Sequence, residues 1–296
     1  MEIVWLNGKF LPAAEATVPV LDRGFIFGDG VYEVIPVFGS HILRLDDHLR
    51  RLCRSLTAIY MESPHSDAEW GRIINGLLDR NPCGRDRSIY LHVTRGVAPR
   101  EHVSKQPLVP TVFAMCSPIP ERVYDQGLSA ITHEDIRWQY CDIKAISLLP
   151  GVLLRERARR ADGSTEAILL RDGVVTEGAA SNVFVVNAGA ARTPAKSNYL
   201  LPGVTRDLVV DLLRGTNIGC LEAPISEAQL RGAEEIWITS STMGIAPVTQ
   251  LDGKSIGDGR PGRVWQAADR IYQDYKRQLG AVPASGSRPG QAHAAR

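Results

Sequence analysis

One lysine limits what this chain can fold into. Lys144 lies in C-D-I-K-A-I-S-L-L-P-G-V-L-L, among the most apolar stretches of the sequence, so a fold that buries this segment must also give an ammonium somewhere to go. Lysine is used sparingly, six times among 34 basic residues. The other five sit where charge meets water: Lys9 and Lys254 in Asn-Gly and Asp-Gly turns, Lys105 and Lys196 in polar loops, Lys276 on the charged face of a C-terminal helix. Desolvation penalises the charged form and lowers a lysine pKa by up to roughly 3–5 units on complete burial. Such a lysine becomes a nucleophile able to form a Schiff base near neutral pH. The window alone fits equally well a lysine at the edge of a buried strand, its stem packed and its head in water.

At 296 residues the chain suits two domains of roughly 100–150 residues. A formal net charge of +1 leaves no electrostatic footprint for nucleic acid. No apolar run reaches the ~18–20 residues needed to span a bilayer, and the N-terminus shows no basic segment followed by a long apolar one, so neither a membrane nor a secretory signal is expected. Cys53, Cys83, Cys116, Cys141 and Cys220 are odd in number and lack CxxC spacing, which predicts reduced thiols in a cytoplasmic protein and no metal site. Cys141 stands out only by lying three residues before Lys144.

The first third alternates hairpins and helices. E-I-V-W-L, Asn7-Gly8 and K-F read as a hairpin on a primed turn. Val31–Phe38 and His41–Leu45 form a second strand pair joined at Gly39-Ser40. Asp46 or Asp47 is expected to cap a helix with Leu49, Leu52, Leu56 and Ile59 inward, and Ser66 a second with Trp70, Ile73, Ile74, Leu77 and Leu78. Strands follow at Ser88–Thr94 and Pro110–Cys116, making residues 1–116 a small α+β domain. S-P-I-P-E-R, 117–122, reads as a linker. Residues 123–280 are strand-rich, with strands at Leu128–Thr132, Glu166–Arg171, Val174–Thr176, Asn182–Val186 and Glu235–Thr239. Helices are expected at Val204–Arg214, after Ser226, and from Pro261 to Leu279. Residues 281–296 are small, polar and proline-bearing, and read as a disordered tail.

Four separated segments carry polar groups that suit a pyridine ring bearing an aldehyde and a phosphate. Lys144 is the first. Glu177, just past the Asp172-Gly173 turn, offers a carboxylate able to keep a pyridine nitrogen protonated and the ring an electron sink; a solvent-facing turn glutamate fits the same residues. L-L-P-G-V-T-R-D opens a helix whose N–H groups at Val204 and Thr205, with the Thr205 hydroxyl, make an anion site, although a capped helix needs no ligand. Ser240, Ser241 and Thr242 end a hydrophobic strand as phosphate donors or as turn formers. Arg51, on the helix of H-L-R-R-L, adds a fork suited to phosphate. Each signal is weak, but one cofactor explains all of them.

With D-R-G-F-I-F-G-D-G-V-Y-E-V, H-L-R-R-L, V-T-R-G-V-A-P-R-E-H, E-D-I-R-W-Q-Y-C-D-I-K, T-E-G-A-A-S-N-V-F, G-V-T-R-D and T-S-S-T in this order, the chain resembles the fold-type IV (class IV) pyridoxal-phosphate aminotransferases from about residue 3 to 275. Among them it is most similar to the D-amino acid aminotransferases. The resemblance implies an α+β fold of two domains, a small N-terminal one and a larger β-barrel-like C-terminal one, with the cofactor, pyridoxal 5'-phosphate, between them. It implies a homodimer whose active site borrows residues across the interface. Lys144 becomes the Schiff-base lysine and proton shuttle, and Glu177 the partner of the pyridine nitrogen. Arg51, Val204, Thr205 and Ser241, with Ser240 beside it, form the phosphate cup, and Leu201 packs on the ring.

Tyr32, Arg100 and His102 match the group that holds the substrate α-carboxylate in the D-amino acid enzymes, where a phenol, an arginine and an imidazole offer converging donors. The implied reaction is a ping-pong transamination between a D-amino acid such as D-alanine and a 2-oxo acid such as 2-oxoglutarate or pyruvate. Aminodeoxychorismate lyase, or a branched-chain or (R)-amine transaminase of the same fold, is the alternative. A binding protein that only borrows the fold is the reading from another class, against which Lys144, Glu177 and Arg51 weigh. The sequence departs from its relatives at Ser147, at Ala179-Ala180 and at Met243, positions that bear on side-chain preference and cofactor tuning.

Overall fold

The structure, a computed structural model, describes residues 2–84 and 86–281. A hairpin opens it, β1 (Ile3–Leu6) and β2 (Lys9–Pro12), turning through Asn7 and Gly8 at positive φ, as a primed turn requires. A short helix α1 (Arg23–Phe27) is capped by the Asp22 side chain and stopped by Gly28 in the left-handed region. It delivers the chain into β3 (Gly30–Phe38), which hairpins into β4 (His41–Ile42). Helices α2 (Leu45–Ala58) and α3 (Asp67–Arg80) follow, then β5 (Arg87–Thr94) and β6 (Thr111–Pro118). These strands form one sheet in the order β2-β1-β6-β5-β3-β4. Leu49, Leu52, Leu56, Trp70, Ile74 and Leu77 from the two helices pack on Val31, Ile35, Ile89 and Leu91 of the sheet.

The Ser66 cap is present as a full capping box with Glu69. At α2 the expected cap is corrected: Arg44, with φ 45, occupies the cap position without a side-chain bond, and Asp46 and Asp47 lie in the first turn, where they face the helix dipole. β6 also runs to Pro118, so the first two residues of the expected linker belong to a strand.

The second sheet is built from β7 (Leu128–Glu134), β8 (Glu166–Arg171), β9 (Val174–Gly178), β10 (Asn182–Asn187), β11 (Ala190–Thr193), β12 (Cys220–Glu222), β13 (Glu235–Ser240), β14 (Gly244–Leu251) and β15 (Lys254–Ser255). Its order is β12-β11-β10-β13-β14-β7-β8-β9, with β15 on β14. β9 and β10 are consecutive in the chain yet far apart in that order, and the turn between them pairs Gly178 N–H with the Ser181 carbonyl at 2.7 Å. The sheet must therefore curl like a half-barrel. Helices α5 (Val204–Arg214) and α7 (Arg263–Ala281) cover one face through Leu208, Val209, Leu213, Ala268 and Tyr272, and α6 (Glu227–Arg231) adds Leu230 to the other.

α4 (Leu149–Asp162) has no counterpart among the helices expected from sequence. Pro150 and Gly151 open it, residues that end helices more often than they begin them, though proline is tolerated in a first turn. Only Leu154 and Ala158 of α4 are buried, against Ala167 and Leu169. Leu149, Val152 and Leu153 face outward, which erases the amphipathic period. The tail at 281–296 lies outside the described residues except for Ala281, where α7 ends.

The capping box on α3 is exposed and remote from the cofactor-type groups. Ser66→Ala should lower stability by about 1 kcal/mol, read as a shift of the urea midpoint with an unchanged slope. A shift below a tenth of that would contradict the cap's contribution.

Candidate active site

The segment carrying Lys144 is held between the two sheets by backbone bonds. Tyr32 N–H donates to the Lys144 carbonyl at 3.0 Å, Ile146 N–H to the Gly30 carbonyl at 3.1 Å, and Lys144 N–H to Ser55 Oγ at 3.2 Å. Ser147 Oγ donates to the Gly28 carbonyl at 3.0 Å, which ties the segment to the C-terminal end of α1. Lys144 is half-buried, with Nζ 4.1 Å from the centroid of the Tyr32 ring. It opens into a cavity of about 250 Å³ lined also by Tyr32, Arg51, Arg137, Glu177, Asn182, Leu201, Val204, Thr205, Thr239, Ser240 and Ser241. A larger cleft, about 1500 Å³, lies over α7 and residues 119–125. It shares only Ser241 with the first and gathers none of these charged groups, so the smaller cavity is the site.

Alternation along β3 sends Tyr32 to the cavity and Glu33 to the opposite face. Glu33 is fully buried and takes two bonds from Arg51, Nε at 2.7 Å and Nη2 at 2.8 Å, and one from His48 Nδ1 at 2.8 Å. Burial would raise the Glu33 pKa, yet the Arg51 charge and the bonds from Arg51 and His48 hold it well below the usual carboxylate range. His48 and Arg51 are three apart on α2 and so share a face. Arg50, the neighbour, is exposed on Asp47. Arg51 also donates through Nη1 to the Pro202 carbonyl at 3.0 Å. A guanidinium has five N–H groups, so one hydrogen each on Nη1 and Nη2 is left for an anion.

The Glu177 carboxylate is met by three donors: Arg137 Nη1 at 2.5 Å, Asn182 Nδ2 at 3.0 Å and the Leu201 N–H at 3.1 Å. Burial pushes its pKa up to about 7, against the Arg137 guanidinium, which pulls it down. Arg137 is itself forked onto Asp135, both bonds at 2.9 Å. Burial alone would lower the Arg137 pKa; Asp135 and Glu177 raise it, and it stays a cation. Asp135 continues the chain to Thr176 and Arg171.

At the other end of the cavity, α5 begins at Val204 behind Gly203, whose Cα leaves no room for a side chain: a Cβ there would lie 2.0 Å from Asn182 Oδ1. The first-turn N–H groups of α5 have no intrahelical acceptor. The hydroxyls of Thr205 and Thr239 are buried without a hydrogen-bond partner among the described residues. Unpaired buried hydroxyls, a helix N-terminus and the free edge of Arg51 together form the donor set that a phosphate needs. Lys144 and Glu177 in the same cavity fit the aldehyde and the ring nitrogen of pyridoxal 5'-phosphate.

Of the residues named from sequence, Lys144, Glu177, Arg51, Leu201, Val204, Thr205, Ser240, Ser241 and Tyr32 line this cavity. Arg100 and His102 do not. They sit on the loop between β5 and β6, their side chains 5.7 and 5.5 Å from the Phe27 ring, and the expected meeting with Tyr32 does not occur within one chain. Cys141 lines the cavity, but its thiol donates to the Trp138 carbonyl and burial pushes its pKa up to about 11, which makes it a wall residue. Ala179 and Ala180 line the cavity as methyl groups. Met243 packs into the core of the second sheet, its carbonyl bound by the Tyr124 hydroxyl at 3.2 Å. Glu33, His48, Arg137, Asn182 and Thr239 were missed. All five lie inside the motifs quoted above, in V-Y-E-V, H-L-R-R-L, E-D-I-R, S-N-V-F and T-S-S-T, but nothing in those motifs marks their roles.

Residues 30–251 match the family model for class IV amino-transferases. D-alanine aminotransferase of Bacillus licheniformis is 41% identical over 273 residues, 92% of this chain and 96% of that protein. D-alanine aminotransferase of Staphylococcus haemolyticus is 35% identical over 278 residues, 93% and 98% of the two. Among solved structures, the branched-chain aminotransferase of Thermoproteus uzoniensis with norvaline superposes with a TM-score of 0.86 at 26% identity, covering 94% of this chain and 95% of that one. The branched-chain amino acid aminotransferase of T.th. with pyridoxamine 5'-phosphate gives 0.87 at 26% identity, covering 95% of both.

The raised pKa of Glu177 has a consequence for the protein stripped of cofactor. The folded value, about 7, lies above the ~4.3 of an exposed glutamate. Its contribution is therefore fully present below about pH 4 and is lost as pH rises towards 7. In Glu177→Gln that loss disappears, so between about pH 4.5 and 7 the variant should gain stability relative to wild type, by on the order of 1–3 kcal/mol. Urea titrations at several pH values read the difference; parallel stability curves would contradict the burial effect.

Proposed function

We propose, from the premise that this chain belongs to the class IV aminotransferases, that it moves the amino group of a D-amino acid such as D-alanine to a 2-oxo acid such as 2-oxoglutarate or pyruvate, with pyridoxal 5'-phosphate held around Lys144. The observation that carries this reading is the convergence of Lys144, Glu177, the free edge of Arg51 and the unpartnered Thr205 and Thr239 hydroxyls on one cavity of about 250 Å³. The relatives that share most identity are D-alanine aminotransferases. The branched-chain enzymes share the fold at lower identity, which keeps their substrate class as the second reading. We read residues 1–116 and 123–280 as two domains with the cofactor between them. A cytoplasmic setting suits cysteines of which no two are joined by a disulfide among the described residues.

When bound, the cofactor supplies an electron sink for the charge that develops at the substrate Cα. Arg51, the α5 N-terminus, Thr205, Ser240 and Ser241 would hold its phosphate, and Leu201 would lie against the ring. Glu177, locked by Arg137, Asn182 and the Leu201 N–H, presents its carboxylate to the ring nitrogen without rotating away. Lys144 Nζ sits over Tyr32, placed to take a proton from the amino acid Cα as a base and to return one as an acid when the oxo acid is bound. Tyr32 stands at the same opening with its phenol as a donor to the α-carboxylate.

Arg100 and His102 complete that carboxylate trap from a second copy of the chain. Three observations support a homodimer. The loop bearing them faces away from its own cavity, and apolar side chains around it are exposed: Phe25 at 77%, Val103 at 76% and Val97 at 42%. Leu148 and Val152 are exposed at the cavity's rim. Several exposed large apolar side chains on one region of a surface suit an interface.

A mixing experiment tests both parts. Lys144→Ala and Arg100→Ala homodimers should each lose activity, the first completely and the second by roughly 100-fold in kcat/KM. In a twofold-symmetric dimer, subunits exchanged from the two inactive pools rebuild one intact site per hybrid, restoring about a quarter of wild-type turnover. No recovery after verified exchange would contradict the shared site, and an active Lys144→Ala enzyme would sink the lysine assignment.

A further inference from the structure

The motif D-R-G-F-I-F-G-D-G-V-Y-E contributes Tyr32 to the cavity, but its Arg23 and Asp29 take no part in the chemistry so far described. Arg23 is 6% exposed, a costly place for a guanidinium unless its nitrogens find partners. Its Nε pairs with Asp29 at 2.8 Å; Nη1 donates to the Glu101 carbonyl at 2.6 Å and Nη2 to the His102 carbonyl at 3.0 Å. Those carbonyls belong to the loop that carries Arg100 and His102. Asp29 is shared with Arg95, at 2.8 and 2.9 Å, and Arg95 anchors its own Nη2 on the Ile59 carbonyl at 2.7 Å. The Arg23 N–H donates to the Gly96 carbonyl at 2.9 Å, and Val97 bridges to Asp22. Phe27, one turn along α1, is the platform for all three: the Arg23 guanidinium lies 4.8 Å from its ring, with Arg100 and His102 on the same ring.

We infer that Arg23 is a positioning residue for substrate recognition: its fork on two consecutive carbonyls fixes the loop that presents Arg100 and His102 to the α-carboxylate. This rests on the carboxylate trap proposed above. The same motif that binds the Lys144 segment through Gly28, Gly30 and Tyr32 thus sets the loop offered to the partner's cavity. One fork against two carbonyls constrains the loop's direction as a lone ammonium does not. Without it, the loop between β5 and β6 keeps its ends but loses its middle anchor. A trap displaced by about an ångström costs on the order of tenfold or more in substrate capture.

The test compares Arg23→Gln, Arg23→Lys and Arg100→Ala holoenzymes with wild type. Arg23→Gln should raise KM for D-alanine and 2-oxoglutarate about tenfold while kcat changes less than about threefold. Its deuterium uptake should rise in peptides covering 97–106, with cofactor absorbance and the rest of the chain unchanged. Arg23→Lys should fall between the two, and decides by the same criteria if the glutamine variant fails to fold. A folded variant with wild-type KM overturns the inference, as does a raised KM without faster exchange in the loop. If Arg100→Ala itself leaves KM unaltered, the carboxylate trap fails and the inference with it. If Arg100→Ala raises KM and neither Arg23 variant does, only the positioning role falls.

Discussion

Two backbone hydrogen bonds, from Tyr32 N–H to the Lys144 carbonyl and from Ile146 N–H to the Gly30 carbonyl, and a third from Lys144 N–H to Ser55 Oγ fasten the lysine segment to the first sheet and to α2. The segment itself is the connection by which the second sheet leaves β7 for α4. Lysine placement, cavity width and the mutual position of the two sheets therefore share one constraint. Main-chain bonds hold it, so no side-chain change along 144–147 removes them outright. A side chain at Gly30 would disturb both neighbours, since a Cβ would sit 2.5 Å from the Val93 carbonyl of β5 and 3.0 Å from Ile146 Cδ1 of the lysine segment.

Two buried ion pairs frame the cavity, and each has a reason beyond stability. Burying charge is expensive, and an apolar replacement is often as stable. Glu33 holds Arg51 by two nitrogens and so turns the remaining N–H edge in one direction. Arg137, fixed on Asp135, holds Glu177. In both, one charged group uses its pairing capacity to orient another whose free side faces the cavity. The two carboxylates differ: the Arg51 charge and bonds keep Glu33 ionised, whereas burial pushes the Glu177 pKa up to about 7.

The chain's period-2 and 3.6-period segments were legible because one face of each is buried: α2, α3, β3, β5 and β6 stand within a few residues of their expected bounds. α4 was not, because its apolar residues face outward and its inward residues are only Leu154 and Ala158. Motif residues that line the cavity carried a signal through their chemistry: a lysine in apolar sequence, a helix-opening Gly-Val-Thr. Residues that hold those residues, Glu33, His48, Arg137 and Asn182, lie in the same motifs but carried no chemical signal of their own. A glutamate in V-Y-E-V looks like any alternating strand position, and its partners lie 15 and 18 residues away. Arg100 and His102 show the opposite failure, since their sequence pattern is distinctive but neither lines the cavity of its own chain.

The most direct measurement is a single half-reaction. Purified holoenzyme, with no oxo acid added, is mixed separately with D-alanine, L-alanine and L-leucine, while the cofactor's visible absorbance and the released oxo acid are followed. D-alanine alone should change the absorbance and yield one pyruvate per site. Conversion by an L-amino acid alone, with D-alanine inert, would leave the fold standing and contradict the D-amino acid assignment of the Lys144 site.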